Sequence, residues 1–441
     1  MKCLNVIIIG FLLTYTTFIS AQQSLTLTDV IELVLENNIE KQVNETSLDY
    51  LKQSSTRSEA GLYPAVNFSY NYSNDNGSST YGYPSGNTTV SIENDSSEST
   101  AGYGSMTLSE TFTNIMLPFY TYKKLQQTVD LKEYEMQLFT EQLLLNAIAT
   151  YYDVLRLEKN LELLQKTVDN ATDHVNDIQS QYNLGAATLL ELLSAKQALN
   201  QHKINVYNEQ LFYNKQMIAL ATLVGTNPTE ALVLKDTIVI DKSLNLDKIL
   251  AATKDQNLSL KIANQNQLLS QTDISMIKAD VFPSLTLSLG YYANQSESNS
   301  GYFRQIEQGG IEAQFAVSWT IFNRGQRFNA LKNIKNKRRL MQLQLNQAQQ
   351  LVLSEAHSLF KEYQTGLTVL SLLQDAITTQ KKYFEQSQFL FKTGQSNITE
   401  LQQSKINLLT AQKHYNDKLL ACRVIELRLY QLSGNLLVSI K

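Results

Sequence analysis

The sequence predicts an α+β membrane protein made of two tandem structural repeats, in which very long helical hairpins carry strands that several chains must share to close one barrel. Three observations predict it. Residues 119–224 contain no proline and a single glycine, Gly185, so one turn interrupts an otherwise unbroken helical run. The pattern around that turn returns 209 residues later around Gly394. Four segments alternate apolar and polar residues at period two, as strands with one wet face do.

The helical run has a seven-residue beat. Leu157, Leu161, Leu164, Val168, Ala171, Val175, Ile178 and Tyr182 lead to Gly185, and Leu192, Ala195, Leu199, His202, Val206, Glu209 and Tyr213 resume beyond it. As helix, residues 119–182 would span roughly 96 Å, far beyond a small domain's diameter, so the run is a strut. Its second copy runs through Leu370, Leu373, Ile377, Gln380, Phe384, Ser387 and Phe391, turns at Gly394, and continues through Leu401, Ser404, Leu408, Ala411, Tyr415 and Lys418.

At the N-terminus, Lys2 precedes an apolar run from Leu4 to Ile19, followed by small residues at Ser20-Ala21, which predicts a signal peptide over 1–21 and a mature chain from Gln22. An uncleaved anchor is the alternative, but about 16 apolar residues are short for a spanning helix. Cys3 precedes the apolar run and so cannot become a lipidated first residue. Cys422 falls on the second seam and reads as buried packing.

The first repeat, 22–243, opens with helices over 25–60, capped at Thr26-Leu-Thr-Asp29 and broken near Asn37-Asn38. The second, 244–441, opens the same way, with Asn245 as cap and Asn257 at the break. β-Hairpins follow over 62–115 and 283–322. Each holds a Ser-, Asn- and Gly-rich stretch, 74–100 and 294–310, read as loops outside the membrane. Long helical hairpins occupy 119–224 and 323–434. A linker, 225–243, containing Gly225, Pro228 and an apolar stretch from Leu232 to Ile240, joins the halves.

The clearest strand places Ile311, Ala313, Phe315, Val317, Trp319 and Ile321 on one face; the weakest has Glu110 interrupting Met106, Leu108 and Phe112. Strands of this kind match membrane-barrel strands, of which about 9–11 residues cross the bilayer. Four cannot close a barrel, and an open edge in lipid costs several kcal/mol per unpaired group, so copies of the chain must complete it. A pair of soluble hairpins is the bland alternative.

With a net charge of −4, only 18% charged residues, 23 tyrosines and five prolines among 441 residues, nothing points to nucleic acid, and extended helices fit better than a compact enzyme. His174, His202, His357 and His414 show no metal-ligand spacing, and no phosphate loop or nucleophile elbow follows a strand, so neither an enzyme nor a cofactor is expected. The basic cluster Arg324, Arg327, Lys332, Lys335, Lys337, Arg338 and Arg339 reads first as a solvated helix face and second as a contact for lipid phosphate. Trp319 reads as an interfacial anchor or as ordinary strand packing.

The order of signal peptide, short helices, β-hairpin, long helix, glycine turn and returning helix, twice over, with turns Tyr182-Asn-Leu-Gly185 and Phe391-Lys-Thr-Gly394, resembles the TolC-type outer-membrane efflux proteins over nearly the whole mature chain. The resemblance implies a homotrimer, with a twelve-stranded barrel in the outer membrane and a twelve-helix tunnel crossing the periplasm. It places both turns at the periplasmic tip, where a periplasmic adaptor (membrane fusion) protein and, through it, an inner-membrane pump would engage Tyr182, Gly185, Ala187, Phe391, Gly394 and Ser396. It also assigns Glu191, Glu400 and Gln403 to the tunnel constriction, with Gln403 standing where a second acidic residue would deepen the ring. Beside this, Thr188-Leu-Leu-Glu191 and Asn397-Ile-Thr-Glu400 both read as capping boxes. A trimeric coiled-coil fibre or adhesin anchored by a shared barrel is the alternative function, disfavoured by polar residues such as Gln380, Ser387 and Ser404 on the beat.

Overall fold

The computed structural model describes residues 24–227, 233–300 and 303–436. The expected signal peptide and, in the linker, Pro228 and Leu232 lie outside the described residues. The first half contains β1 (Ser24–Leu25), α1 (Leu27–Asn37), α2 (Ile39–Ser54), β2 (Ala65–Ser85), β3 (Thr88–Phe112), α3 (Leu117–Asn183) and α4 (Leu189–Val224). After β4 (Val233–Leu234) come α5 (Leu246–Gln256), α6 (Leu258–Ala279), β5 (Ser284–Ser298), β6 (Gln305–Ser318), α7 (Gln326–Lys392) and α8 (Ile398–Leu432). β1 pairs in parallel with β4, joining the start of the described chain to the linker.

The large sheet is antiparallel in the order β2-β3-β5-β6. Its register sorts the faces as alternation predicts: Phe68 lies opposite Met106, Met106 opposite Tyr291, and Tyr291 opposite Ile311 on the apolar side. Ser69 opposes Ser105 on the polar side, their hydroxyls 2.8 Å apart. From Leu285 to Tyr291 the apolar band rises roughly 20 Å, close to the height of a membrane-barrel band. Glu110, opposite Leu287, is the one carboxylate on that face near the helical end.

The stretch 74–100, expected as a loop, is strand. β2 and β3 run for 21 and 25 residues, broken by one register shift at Gly77/Ser79, and meet in a tight turn where Gly86 takes φ 64°. The sequence hid this because a ribbon outside lipid needs no apolar face: Ser, Thr, Asn and Tyr keep the period without hydrophobic contrast. Likewise β5 and β6 reach Ser298 and Gln305, leaving only 299–304 of the second expected loop between them.

α3 and α7 each run for 67 residues, roughly 100 Å. Pro118 starts α3, where its missing N–H costs nothing. The helices lie side by side in one layer four wide. Near the tip the order is α4-α3-α8-α7; nearer the sheet, α2 and α6 replace α4 and α8. The replacements stack end to end. Asn38 Nδ2 donates to the Leu223 carbonyl (3.2 Å), and Asn257 Nδ2 to the Leu432 carbonyl (3.0 Å), so each helix-breaking asparagine caps the next helix and anchors the returning one. The close approach requires glycine: a Cβ on Gly225 would lie 2.8 Å from Asn37 Cβ, and one on Gly434 2.7 Å from Gln256 Cβ.

The seam residues are buried or half-buried in the single chain except Tyr182 and Phe391 at the tip. Cys422 is buried as expected, its sulfur against Gly366. The densest core lies at the waist, where Val30, Val34, Leu144, Ile148, Leu220 and Leu427 pack around Tyr151.

Candidate functional site

The tip is built twice by the same local chemistry. α3 ends with Gly185 at φ 75°, while Ala186 N donates to the Gln181 carbonyl (2.8 Å) and Gly185 N to that of Tyr182 (3.0 Å). α7 ends with Gly394 at φ 74°, with Gln395 N on the Leu390 carbonyl (2.8 Å) and Gly394 N on that of Phe391 (3.1 Å). This is the left-handed closure that satisfies terminal carbonyls and favours glycine. Nothing lies within 4 Å of a Cβ placed on either glycine, so both turns face open space.

The starts of the returning helices differ. Thr188 and Glu191 form the full expected box: Glu191 N donates to Thr188 Oγ1 (3.2 Å), and Thr188 N donates to Glu191 Oε2 (2.7 Å). Those bonds, the backbone one first, hold the Glu191 carboxyl below the usual carboxylate range. At the second turn Asn397 accepts from Glu400 N (2.8 Å), but the Glu400 carboxylate takes the Ser396 hydroxyl (2.7 Å), so the expected reciprocal box is half formed. Gln403 is exposed and donates to Asn407 (2.9 Å). Around the turns Leu184 and Leu190 are 84% and 78% exposed, an apolar surface that none of the described residues covers. Thus Tyr182, Gly185, Ala187 and Glu191 gather at one turn, and Phe391, Gly394, Ser396 and Glu400 at the other.

A second polar cluster escaped sequence reading. Arg156 reaches Asp417 (2.6 Å) and Asp153 (2.8 Å), and the fully buried Asn160 donates to Asp417 (2.9 Å), with Lys413 on its other oxygen (3.1 Å). Burial alone would raise the Asp417 carboxyl, but hydrogen bonds from Arg156, Asn160 and Lys413 outweigh it and lower its pKa. At the waist, Asp236 accepts from Tyr151 Oη and Leu27 N, both at 2.7 Å, tying the linker to the first half. Asp241 plays the counterpart role, accepting from Tyr430 (2.9 Å) while its carbonyl takes the Tyr363 hydroxyl. Polar residues next to a seam were the only signal for these. Among the described residues no cluster of three or more His, Cys, Asp or Glu is arranged to hold a metal.

The sequence model of the outer membrane efflux protein family matches residues 30–226 and 249–435, one block in each half. The chain belongs to that family. Its members are efflux proteins of the outer membrane, and this chain belongs in that membrane, with its long helical layer extending into the periplasm. It is 19% identical over 278 residues to the outer membrane protein TolC of Vibrio cholerae, covering 62% of this chain and 64% of that one. It is 27% identical over 173 residues to the pyoverdine export outer membrane protein OpmQ of Pseudomonas aeruginosa, covering 38% and 35%. The aligned stretches therefore span less than two thirds of either relative. In fold it is similar to the MtrE outer membrane channel of Neisseria gonorrhoeae, with a TM-score of 0.74 at 14% identity over 93% of this chain and 89% of that one.

Proposed function

We propose that three copies of this chain form one conduit across the outer membrane and periplasm, working with a periplasmic adaptor and an inner-membrane pump. The sheet order carries the reading. β2 and β6 are edges with unpaired backbone, and lipid cannot tolerate them; joining β6 of one chain to β2 of the next removes every edge, and three chains give twelve strands. The four-wide helical layer extends in the same way to a twelve-helix wall. A layer, unlike a single dense seam, favours a hollow tube over a fibre. The recurring asparagine anchors at Asn38 and Asn257 support reading the chain as two repeats, 22–243 and 244–441.

The tips are the adaptor contact in this reading, because both glycine turns meet open space and small residues, Ala187 and Ser396, follow them. Glu191 and Glu400 of three chains gather as a ring that attracts cations. The protein extracted in detergent is expected to scatter light as a trimer and to conduct in a planar bilayer. Glu400→Gln is expected to lower its cation preference more than Glu191→Gln does. A stable monomer, or reversal potentials in a salt gradient unchanged by the two substitutions together, would refute the trimer and the ring respectively.

A further inference from the structure

Where the sheet gives way to α7, the chain carries a groove that the proposed conduit does not call on. Val281, Trp319, Ile321, Phe322, Phe328 and Leu331 line an open space of about 530 Å³, and all six are exposed. Trp319 and Ile321 extend the apolar face of β6 past its last residue, Ser318. Trp319 Nε1 donates to the Val281 carbonyl (3.0 Å), which satisfies the indole and fixes it at the periplasmic end of the apolar band. Pairing of the β6 edge with another strand would occur in the plane of the sheet and leave this face open to lipid.

Beside the groove stand cations without counter-charges. Between Glu312 and Glu355 the chain has no acidic residue and seven basic ones. Two are neutralised, Arg327 by Asp280 (2.8 Å) and Lys337 by Asp273 (3.1 Å). Arg324, Lys332, Lys335, Arg338 and Arg339 are exposed and form no ion pair among the described residues. The fold does not ask for them. Lys332, Lys335 and Arg339 follow Phe328 at steps of four, three and four, the spacing at which like charges on a helix repel. They also crowd the early turns of α7, whose dipole end is already positive and whose first turn holds no acidic residue. The first repeat builds the same junction 209 residues earlier, over 115–130, with only Lys123 and Lys124 against Asp130, and Lys124 is paired with Asp273 (2.9 Å). A run of charge that strains its helix and is missing from its twin fits a role as the counter-charge of a ligand.

Position says which anion. Side chains on a helix lean toward its N-terminus, which for α7 is toward the membrane. Lys332 and Lys335 lie roughly 9 and 14 Å along α7 from its first residue, and their flexible stems carry the ammonium groups back toward a headgroup layer about 5–8 Å deep. Arg324 precedes the helix, held at φ 58°, a conformation uncommon for a residue with a side chain. We propose that this junction binds an anionic phospholipid of the periplasm-facing leaflet, an acyl chain lying against Trp319, Phe322 and Phe328 and the phosphate held by Arg324, Lys332 and Lys335. A soluble anion would leave the groove empty, and a zwitterionic lipid would leave the cations uncompensated. The inference rests on the membrane placement of the sheet and is independent of how many copies assemble.

Trp319 is the chain's one tryptophan, so its fluorescence, excited beyond the tyrosine band, reports on this groove alone. The full-length protein is reconstituted in phosphatidylcholine vesicles containing either phosphatidylglycerol or phosphatidylcholine with brominated acyl chains, which quench tryptophan on contact. Brominated phosphatidylglycerol is expected to reach the same quenching at a mole fraction about tenfold lower or less, and Arg324→Gln, Lys332→Gln and Lys335→Gln each to weaken that preference up to about fivefold at low salt. Lys332→Arg, which keeps the charge, is expected to retain it. Equal quenching by the two lipids in the wild type overturns the site, whatever the variants do. A preference that survives the three neutral substitutions together overturns it as well, and if light scattering then shows the assembly lost, the cations belong to a second copy. A preference abolished by inorganic phosphate, but not by chloride of equal ionic strength, assigns them to a soluble anion and also overturns it.

Discussion

Gly366→Ala tests how tightly α7 and α8 are joined. A Cβ there would lie 2.5 Å from Cys422 Sγ, while Lys418 Cε at 3.8 Å and Cys422 Cβ at 3.9 Å would be ordinary contacts. The conflict is therefore with one sulfur. That sulfur is fully buried, so it has little room to rotate away, and relieving the overlap means moving the helices apart by about 1 Å, at an overpacking cost of about 1–3 kcal/mol. Alanine also gains about 1 kcal/mol over glycine inside a helix. The net effect in the natural background is a loss of up to about 2 kcal/mol. With Cys422→Ala in place the overlap is gone, and the same substitution should stabilise by up to about 1 kcal/mol. The sign of the effect reverses. Equilibrium unfolding of the detergent-solubilised protein, followed by far-ultraviolet circular dichroism, gives all four corners of this cycle. A Gly366→Ala effect equal in the two backgrounds within about 0.5 kcal/mol would refute the contact.

Three further outcomes follow from particular sites. Burial pushes the Glu141 carboxyl up to about 7 against a partial counter-pull from Lys261. Its folded-state pKa being raised, the stability it contributes is present below its unfolded value of 4.5 and lost as pH rises toward 7, so Glu141→Gln should flatten the fall in unfolding temperature across that window; an unchanged slope refutes it. Tyr151→Phe removes a 2.7 Å bond to Asp236 and should cost about 1.5–3 kcal/mol, loosening the linker enough for limited proteolysis near Asp236 to accelerate. Tryptophan at Ala187 and Ser396 together should abolish export in cells while the trimer persists; export at the normal rate refutes the tip contact.

What the sequence revealed depended on which residues had to carry a period. The long helices were legible because the seam must bury Val168, Ala171, Ile178, Leu192 and Ala195 at fixed spacing, and because glycine is the simplest way to turn at Gly185 and Gly394. The Asn38 and Asn257 breaks were legible as capping chemistry, though not as anchors, since their amides bond to residues nearly two hundred positions away. The length of β2 and β3 was hidden, because above the membrane both ribbon faces are wet and the contrast that marks a strand disappears. Arg156, Asn160 and Asp417 were hidden for a related reason: each alone reads as a solvated residue, and only the packing of α3 beside α8 brings Asp417 within 3 Å of the other two.

The two turns share a backbone but leave their carboxylates in different positions, which bears on which one can act on a passing ion. Glu191 is committed to its own helix: it accepts from both the backbone and the hydroxyl of Thr188, so its charge is already met by two donors at 2.7 and 2.9 Å. Glu400 accepts only a neighbouring hydroxyl, and the backbone N–H of Asn397 receives no carboxylate. A carboxylate held by a cap is a poorer ligand for a cation, since approaching ions must compete with bonds worth about 1 kcal/mol to the helix. The second turn therefore carries the freer charge, and Ser396, by holding that charge on the turn, becomes the residue that aims it. The same serine is one of the small residues that leave room beside the glycine. On the proposed adaptor contact, enlarging it is expected to disturb docking and the aim of Glu400 together, whereas enlarging Ala187 is expected to touch docking alone, because Thr188 continues to hold Glu191.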